Sequence, residues 1–143
     1  MRDLKKTDRN RVVLLDLQGG SKIGLFYATP TTSQVKGFHK ESLRRKGNKV
    51  MVDSFDPALK YGLEVITGFD EGAFGYDGVP ISADPAHPNY REDWKELLSE
   101  TASDIVITLG RLVFEGVRPE QSSADILVGE EEEAESAVPL ALS

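Results

Sequence analysis

The sequence predicts an α+β fold, with an N-terminal β-hairpin, a mainly helical body of about three helices and a disordered acidic C-terminal tail. Three observations point there. Arg11–Leu17 and Lys22–Ala28 are rich in β-branched, aromatic and aliphatic residues and flank Gln18-Gly19-Gly20-Ser21. Apolar residues recur at three- and four-residue steps in three later stretches. The net charge of −7 lies wholly at the end of the chain. Residues 1–119 are formally neutral, whereas Glu120, Asp125, Glu130, Glu131, Glu132, Glu133 and Glu135 follow without a single Lys or Arg. Residues 1–10 read as a flexible arm, 11–118 as one domain and 119–143 as the tail.

The two apolar runs make strands because two glycines between them supply the positive φ of a tight turn. A lone hairpin is marginal in water, so one face must pack on the body. Thr31 and Gln34 have capping-box spacing and start a helix over Ser33–Lys46, stopped by Gly47-Asn48. Val35, Phe38 and Leu43 lie on or near one face, and Lys36, Lys40, Arg44, Arg45 and Lys46 on the other. A second helix starts near Asp56-Pro57, carries Leu59, Leu63 and Ile66 at i, i+4 and i+7, and stops at Gly68. The Gly-, Pro- and Asp-rich stretch Phe69–Asn89 holds a turn at Asp77-Gly78, with a small hairpin around Phe74–Ile81. Asn89 and Glu92 cap the third helix, Tyr90–Glu115, which at ~1.5 Å per residue is about 39 Å long. Gly110 inside it marks a close helix–helix crossing. The Ser-, Glu- and Ala-rich end is too polar to order itself. It contains two apolar islands, Ile126–Val128 and Val138–Leu142, of the kind a partner groove takes up.

Composition excludes several classes of function. With no Cys there is no disulfide framework, thiolate metal site or cysteine nucleophile. No apolar run approaches the ~20 residues of a bilayer span, and the start MRDLKKTDRNR lacks the apolar core of a signal peptide. The expectation is a protein without a membrane partner. His39 and His87 lie apart and lack thiolate company, which argues against zinc. Asp70, Glu71 and Asp77 do not match an EF-hand, having no bidentate Glu at its twelfth position. Gly68, Gly72, Gly75 and Gly78 lack the Lys of a phosphate loop and sit among acids. No G-x-S-x-G context gathers a nucleophile and a base, so no catalytic, cofactor or metal residue is assigned.

Contact residues are better candidates than catalytic ones. Residues 1–49 carry 12 bases against 4 acids, and residues 50–119 carry 5 bases against 13 acids. The basic stretch offers Lys36, Lys40, Arg44 and Arg45 to a partner. Phosphates are one possibility, giving salt-dependent nucleic-acid binding. The formal neutrality of residues 1–119 instead favours pairing with the acidic middle of the same chain or of a neighbouring copy. Phe74, Tyr76 and Trp94 are aromatic candidates for partner contact, with core the stronger role for Trp94. Ile126, Leu127 and Val128 are the candidates in the tail.

The hairpin, the basic helix after TPTTSQ, the block ALKYGLEVITGFDEGAF and the run YREDWKELLSETASDIVITLGRLVFEG occur in an order that resembles one family. It is that of the small tail assembly chaperones of long-tailed bacteriophages and prophages, of which the lambda tail assembly protein G is the familiar type. The resemblance spans residues 11–118, and the tail is similar in composition alone. It implies a non-enzymatic factor of the host bacterial cytoplasm, absent from the finished virion. Such a factor coats the tape measure protein, keeps its long helices soluble and helps recruit tail-tube protein, and in many phages a frameshifted, extended product binds the tube subunit. Self-association follows if basic helix and acidic middle meet between copies. A nucleic-acid-binding phage regulator and a structural tail component are the alternatives.

Overall fold

Residues 1–116 are described by the computed structural model. Their elements run β1 (Asn10–Asp16), β2 (Ser21–Tyr27), α1 (Thr32–Ser42), β3 (Leu43–Lys46), β4 (Lys49–Val52), α2 (Phe55–Val65) and β5 (Ile66–Phe69). The chain continues through β6 (Gly75–Tyr76), β7 (Val79–Pro80), α3 (Trp94–Thr101) and α4 (Ser103–Glu115). The architecture is α+β, with the N-terminal hairpin that the sequence predicts. The expected tail over residues 119–143 lies outside the described residues, as do Ile126, Leu127 and Val128.

β1 and β2 pair antiparallel, with Val12 opposite Leu25 and Leu14 opposite Ile23. Alternation sends Leu14, Ile23 and Leu25 into the core and leaves Val13 and Leu15 outside. The hairpin gains a third strand, because β5 pairs antiparallel with β2 and the sheet order is β1-β2-β5. Here the expected helix stop at Gly68 is corrected. α2 already ends at Val65, and Ile66-Thr67-Gly68-Phe69 is strand. The i, i+4, i+7 stripe misled because Ile66, its last member, belongs to the sheet. A short apolar run does not distinguish the two periods. The expected arm touches the body at its end: Thr29 N–H donates to Thr7 O at 2.8 Å, and Thr67 Oγ1 to Asp8 O at 2.6 Å.

The capping box at α1 forms as expected, with Gln34 N–H donating to Thr31 Oγ1 at 3.1 Å and Thr31 N–H to Gln34 Oε1 at 3.0 Å. The helix then stops four residues before the predicted end. Leu43 turns extended (φ −84°, ψ 126°), and β3 and β4 form a second antiparallel hairpin across Gly47-Asn48. Gly47 sits at φ +64°, so it serves a two-residue hairpin turn rather than a helix cap. Two local facts favour the hairpin. A continued helix would stack Lys40 on Arg44 at i+4, which is repulsive. Val50-Met51-Val52 supplies a strand-forming partner. Arg44 and Arg45 therefore do not share a helix face with Lys36 and Lys40.

The predicted third helix is two helices. It begins at Trp94, because residues 89–91 are held against Ser82 by backbone bonds and the Asp93 carboxylate accepts from Arg91 rather than capping. It breaks at Ala102 (φ −136°, ψ 38°) between Thr101, whose hydroxyl donates back to Leu97 O, and Ser103. The break lets α3 serve the sheet, where Trp94 meets Phe69 edge-on at 5.8 Å, while α4 serves α2. The small hairpin expected around Asp77-Gly78 is present as β6 and β7, with both turn residues at positive φ.

α2 and α4 cross at two glycines. A Cβ on Gly110 would strike the carbonyl oxygen of Ala58, and one on Gly62 would lie 2.6 Å from Val106 O. Around this crossing sit two apolar clusters. Ile23, Leu25, Ile66, Val106 and Leu109 join sheet to helices, and Phe38, Ala58, Tyr61, Val65, Ile107 and Phe114 join α1 to α2 and α4. Phe38 and Phe114 stack at 5.2 Å. Gly110→Ala gains about 1 kcal/mol of helix propensity. The overpacking it forces against backbone costs about 1–3 kcal/mol or more. The expected outcome is net destabilisation, read as a lower denaturant midpoint at unchanged m-value.

Candidate interaction surface

The β3–β4 hairpin projects from the body. Its apolar side chains find no cover: Leu43, Val50, Met51 and Val52 are 57%, 60%, 51% and 73% exposed, and Phe55, just beyond, is 52% exposed. The pairing Leu43↔Val52 and Arg45↔Val50 puts Leu43, Val50 and Val52 on one face with Arg45, and Arg44 with Met51 on the other. Two strands alone are marginal, so the base of the hairpin must hold them. Asp53 N–H donates to Ser42 O at 2.7 Å, and Arg44 reaches Asp53 at 3.8 Å and Asp56 at 3.2 Å. Ser42 is itself buried and donates to Phe38 O at 2.7 Å. The base is thus fixed to α1 and α2, while the faces stay open.

A second feature lies across the sheet. Between its outer face and the segment Ile81–His87 is a cleft of about 350 Å³, bordered by Arg9, Phe26, Asp70, Glu71, Asp84 and His87. Arg9 stacks over Phe26 at 4.6 Å, and Arg11 pairs with Asp70 across Gly24. His87 Nε2 stands 3.4 Å from Glu71, while its Nδ1 accepts from Asn89 N–H. Ser82 Oγ accepts from Asp84 N–H. Among the described residues no group of three His, Asp or Glu side chains is placed to hold a metal. None of their helices is long and apolar enough to cross a membrane.

The candidate residues scatter. Trp94, proposed for partner contact, is 7% exposed and belongs to the core. Phe74 is half-buried against Phe69, with ring centroids 4.9 Å apart. Tyr76 is exposed on the β6–β7 hairpin beneath the Arg91 guanidinium, at 4.2 Å. Lys36 and Lys40 are exposed on α1. Of these residues Arg44 and Arg45 sit with the apolar hairpin; the sequence reading placed its Leu43 on the apolar side of a helix and passed over Val50, Met51 and Val52, and Phe55 just beyond. The signal for the hairpin was Val50-Met51-Val52, three successive apolar residues one position after the Gly47-Asn48 turn. A further exposed apolar row, Val13, Leu15 and Leu17, lines β1 and its turn.

Two charge networks tie these surfaces to the fold. The Glu41 carboxylate accepts from Tyr61 Oη and from Lys60 Nζ, the latter at 2.9 Å. The Tyr61 bond, and then that of Lys60, hold the Glu41 pKa below its ordinary value, while Tyr61 itself is raised, first by that bond and then by burial. The hydrogen bond from Arg11 likewise depresses Asp70. Lys95 Nζ donates to Leu63 O at 2.9 Å, and burial lowers its pKa.

Comparison with family models, curated proteins and solved structures returns no match for this chain.

A depressed carboxyl contributes stability that is fully present above its unfolded pKa and lost as pH falls through the folded one. Glu41 and Asp70 both work in that direction. Acid titration followed by circular dichroism from about pH 6 to about pH 2 should therefore show a steeper loss of stability in the parent chain than in E41Q/D70N. Parallel curves would remove these two groups from the acid limb.

Proposed function

We propose that this chain is a non-enzymatic assembly factor that holds an apolar helical client on the β3–β4 hairpin, as a phage tail assembly chaperone holds the tape measure protein. The observation that carries the reading is the exposure of Leu43, Val50 and Val52 on a hairpin anchored only at its base, with exposed Phe55 just beyond it. A contiguous exposed apolar surface marks an interaction site. An amphipathic helix laid along it would cover the exposed face and keep its own apolar stripe out of water. Arg45 and Lys49 at the same hairpin then select against clients with a basic rim.

The resemblance over residues 11–118 supplies the client class: tape measure protein first and tail-tube protein second, in the host bacterial cytoplasm. Self-association fits the same role, because one small protein covers a long client only in many copies. Nucleic acid fits the surface less well. Arg44 is already paired with Asp53 and Asp56, and the exposed apolar residues offer phosphates nothing.

The test is co-expression of the tape measure protein with L43S/V50S/V52S. Each side chain contributes about 1 kcal/mol when covered, so the triple change should weaken client binding by about 100-fold and leave the client in the pellet. The helical signal of the variant should match the parent, because all three residues are already in water. A client that stays soluble with the triple variant removes the hairpin from the reading.

A further inference from the structure

We propose that the hairpin has a resting occupant within the same chain, the segment Asp125–Glu133 (DILVGEEEE), which docks along it in extended form. Four observations carry this. The hairpin is two-stranded, so the outer edge of each strand offers unpaired backbone groups as well as an open apolar face. Its chemistry is graded. Leu43 and Val52 pair at the base, Arg45 and Val50 come next, and Lys49 stands beside the Gly47-Asn48 turn. The segment has the matching order, with Ile126-Leu127-Val128 followed after Gly129 by four glutamates. Laid from base to tip on the face of Leu43, Val50 and Val52, it sets apolar residues on Leu43 and Val52 and acids beside Arg45, with Lys49 next to the turn on the opposite face. Among the described residues neither Arg45 nor Lys49 has an acidic partner within ion-pair distance, whereas Arg11, Arg44, Lys60 and Arg91 each do.

The exit point of the chain is the fourth observation. Near the end of α4, Arg111 Nε donates to Ser54 Oγ at 3.2 Å, and Ser54 lies two residues past the end of β4. Phe114 stacks on Phe38 of α1, the helix that runs into β3. The last turn of α4 therefore ends beside the base of the hairpin. Eight residues lie between Gly116 and Asp125, and the nine Cα steps they span reach, at ~3.3 Å each, up to about 30 Å, more than the ~13 Å length of a four-residue strand. A tether of this length holds the segment at an effective concentration on the order of millimolar, so a contact of modest affinity is well populated. Because the occupant covers the surface assigned above to the client, it competes with it, and that consequence rests on the client-binding reading.

Amide hydrogen exchange on the full chain tests the docking against two variants, E130Q/E131Q/E132Q/E133Q and I126S/L127S/V128S. Each change should speed exchange across Leu43–Val52 by about tenfold and leave Ile105–Phe114 unchanged. Salt at about 1 M should act on the parent as the glutamine variant does. Identical hairpin exchange in parent and both variants overturns the proposal. Protection that grows with protein concentration assigns the segment to a second copy and overturns docking within the chain. Titration with a tape measure peptide separates the two readings. If the variants lose hairpin protection yet bind the peptide no more tightly than the parent, the docking stands and the client site lies elsewhere. If the parent shows no tail-dependent protection but L43S/V50S/V52S loses the peptide, the client reading stands and the docking fails.

Discussion

The close approach of α2 and α4 is the constraint on which the rest of the molecule depends. Two backbones meet where Gly62 faces Val106 and Gly110 faces Ala58, with no room for a Cβ on either glycine. Contact at this range fixes the helices in register as well as in angle, because moving either by one turn would put a side chain where a carbonyl now lies. α2 is joined directly to β5 at one end and closely follows β4 at the other. Setting α2 against α4 therefore sets the third strand of the main sheet and the base of the projecting hairpin together. The two apolar clusters are the two sides of this crossing, and Leu59 packs against both.

From that constraint the hairpin acquires its character. Its base is rigid, since Ser42 is buried and Asp53 returns a backbone hydrogen bond to it. Its faces are not part of any core. A four-residue strand pair exposing Leu43, Val50, Met51 and Val52 adds little to the stability of the free chain, because these side chains remain in water. Such a surface is a liability for solubility unless something covers it. The sheet edge at β1 carries a smaller version of the same liability in Val13 and Leu15.

Local chemistry was legible in the sequence, and changes of element within an apolar run were not. The capping box at Thr31 and Gln34 and the Gly19-Gly20 and Asp77-Gly78 turns each depend on neighbouring atoms that residue type alone specifies, and Gly110 is legible because a glycine inside a helix is costly unless a second backbone comes close. Ile66 and Gly68 depend on a strand 40 residues earlier, so helix spacing carried the reading one turn too far. Gly47-Asn48 ends a helix or turns a hairpin equally well. Only Val50-Met51-Val52, read as the returning strand, decides between them. The break at Ala102 has no breaker residue, because it arises where Trp94 and Leu98 follow the sheet and Ile107 and Leu109 follow α2. For the interaction surface, charge marks Arg44 and Arg45 in the sequence, but helix spacing puts Leu43 on a core-facing side and nothing in residue type marks Val50, Met51 and Val52 as exposed.

The charge layout gains a structural meaning from these positions. Residues 1–119 balance formally, and much of that balance is realised as contacts: Arg11 with Asp70, Arg44 with Asp53 and Asp56, Lys60 with Glu41, and Arg91 with Asp93. The Arg11 and Arg44 pairs join front bases to middle acids and Lys60–Glu41 runs the other way, so the basic front and acidic middle of the sequence are interleaved in space rather than opposed as two poles. A head-to-tail attraction between copies, which needs separated poles, is correspondingly weakened. What stays unbalanced is local. Arg45 and Lys49 stand on an exposed apolar hairpin, Lys36 and Lys40 stand on α1, and the seven acids after residue 119 have no base among themselves. Exposed charges act over a Debye length of about 8–10 Å at moderate salt, so net charge far along the sequence matters only if the chain returns. The end of α4 lies beside the hairpin base, so the docking proposed above has only a short distance to span.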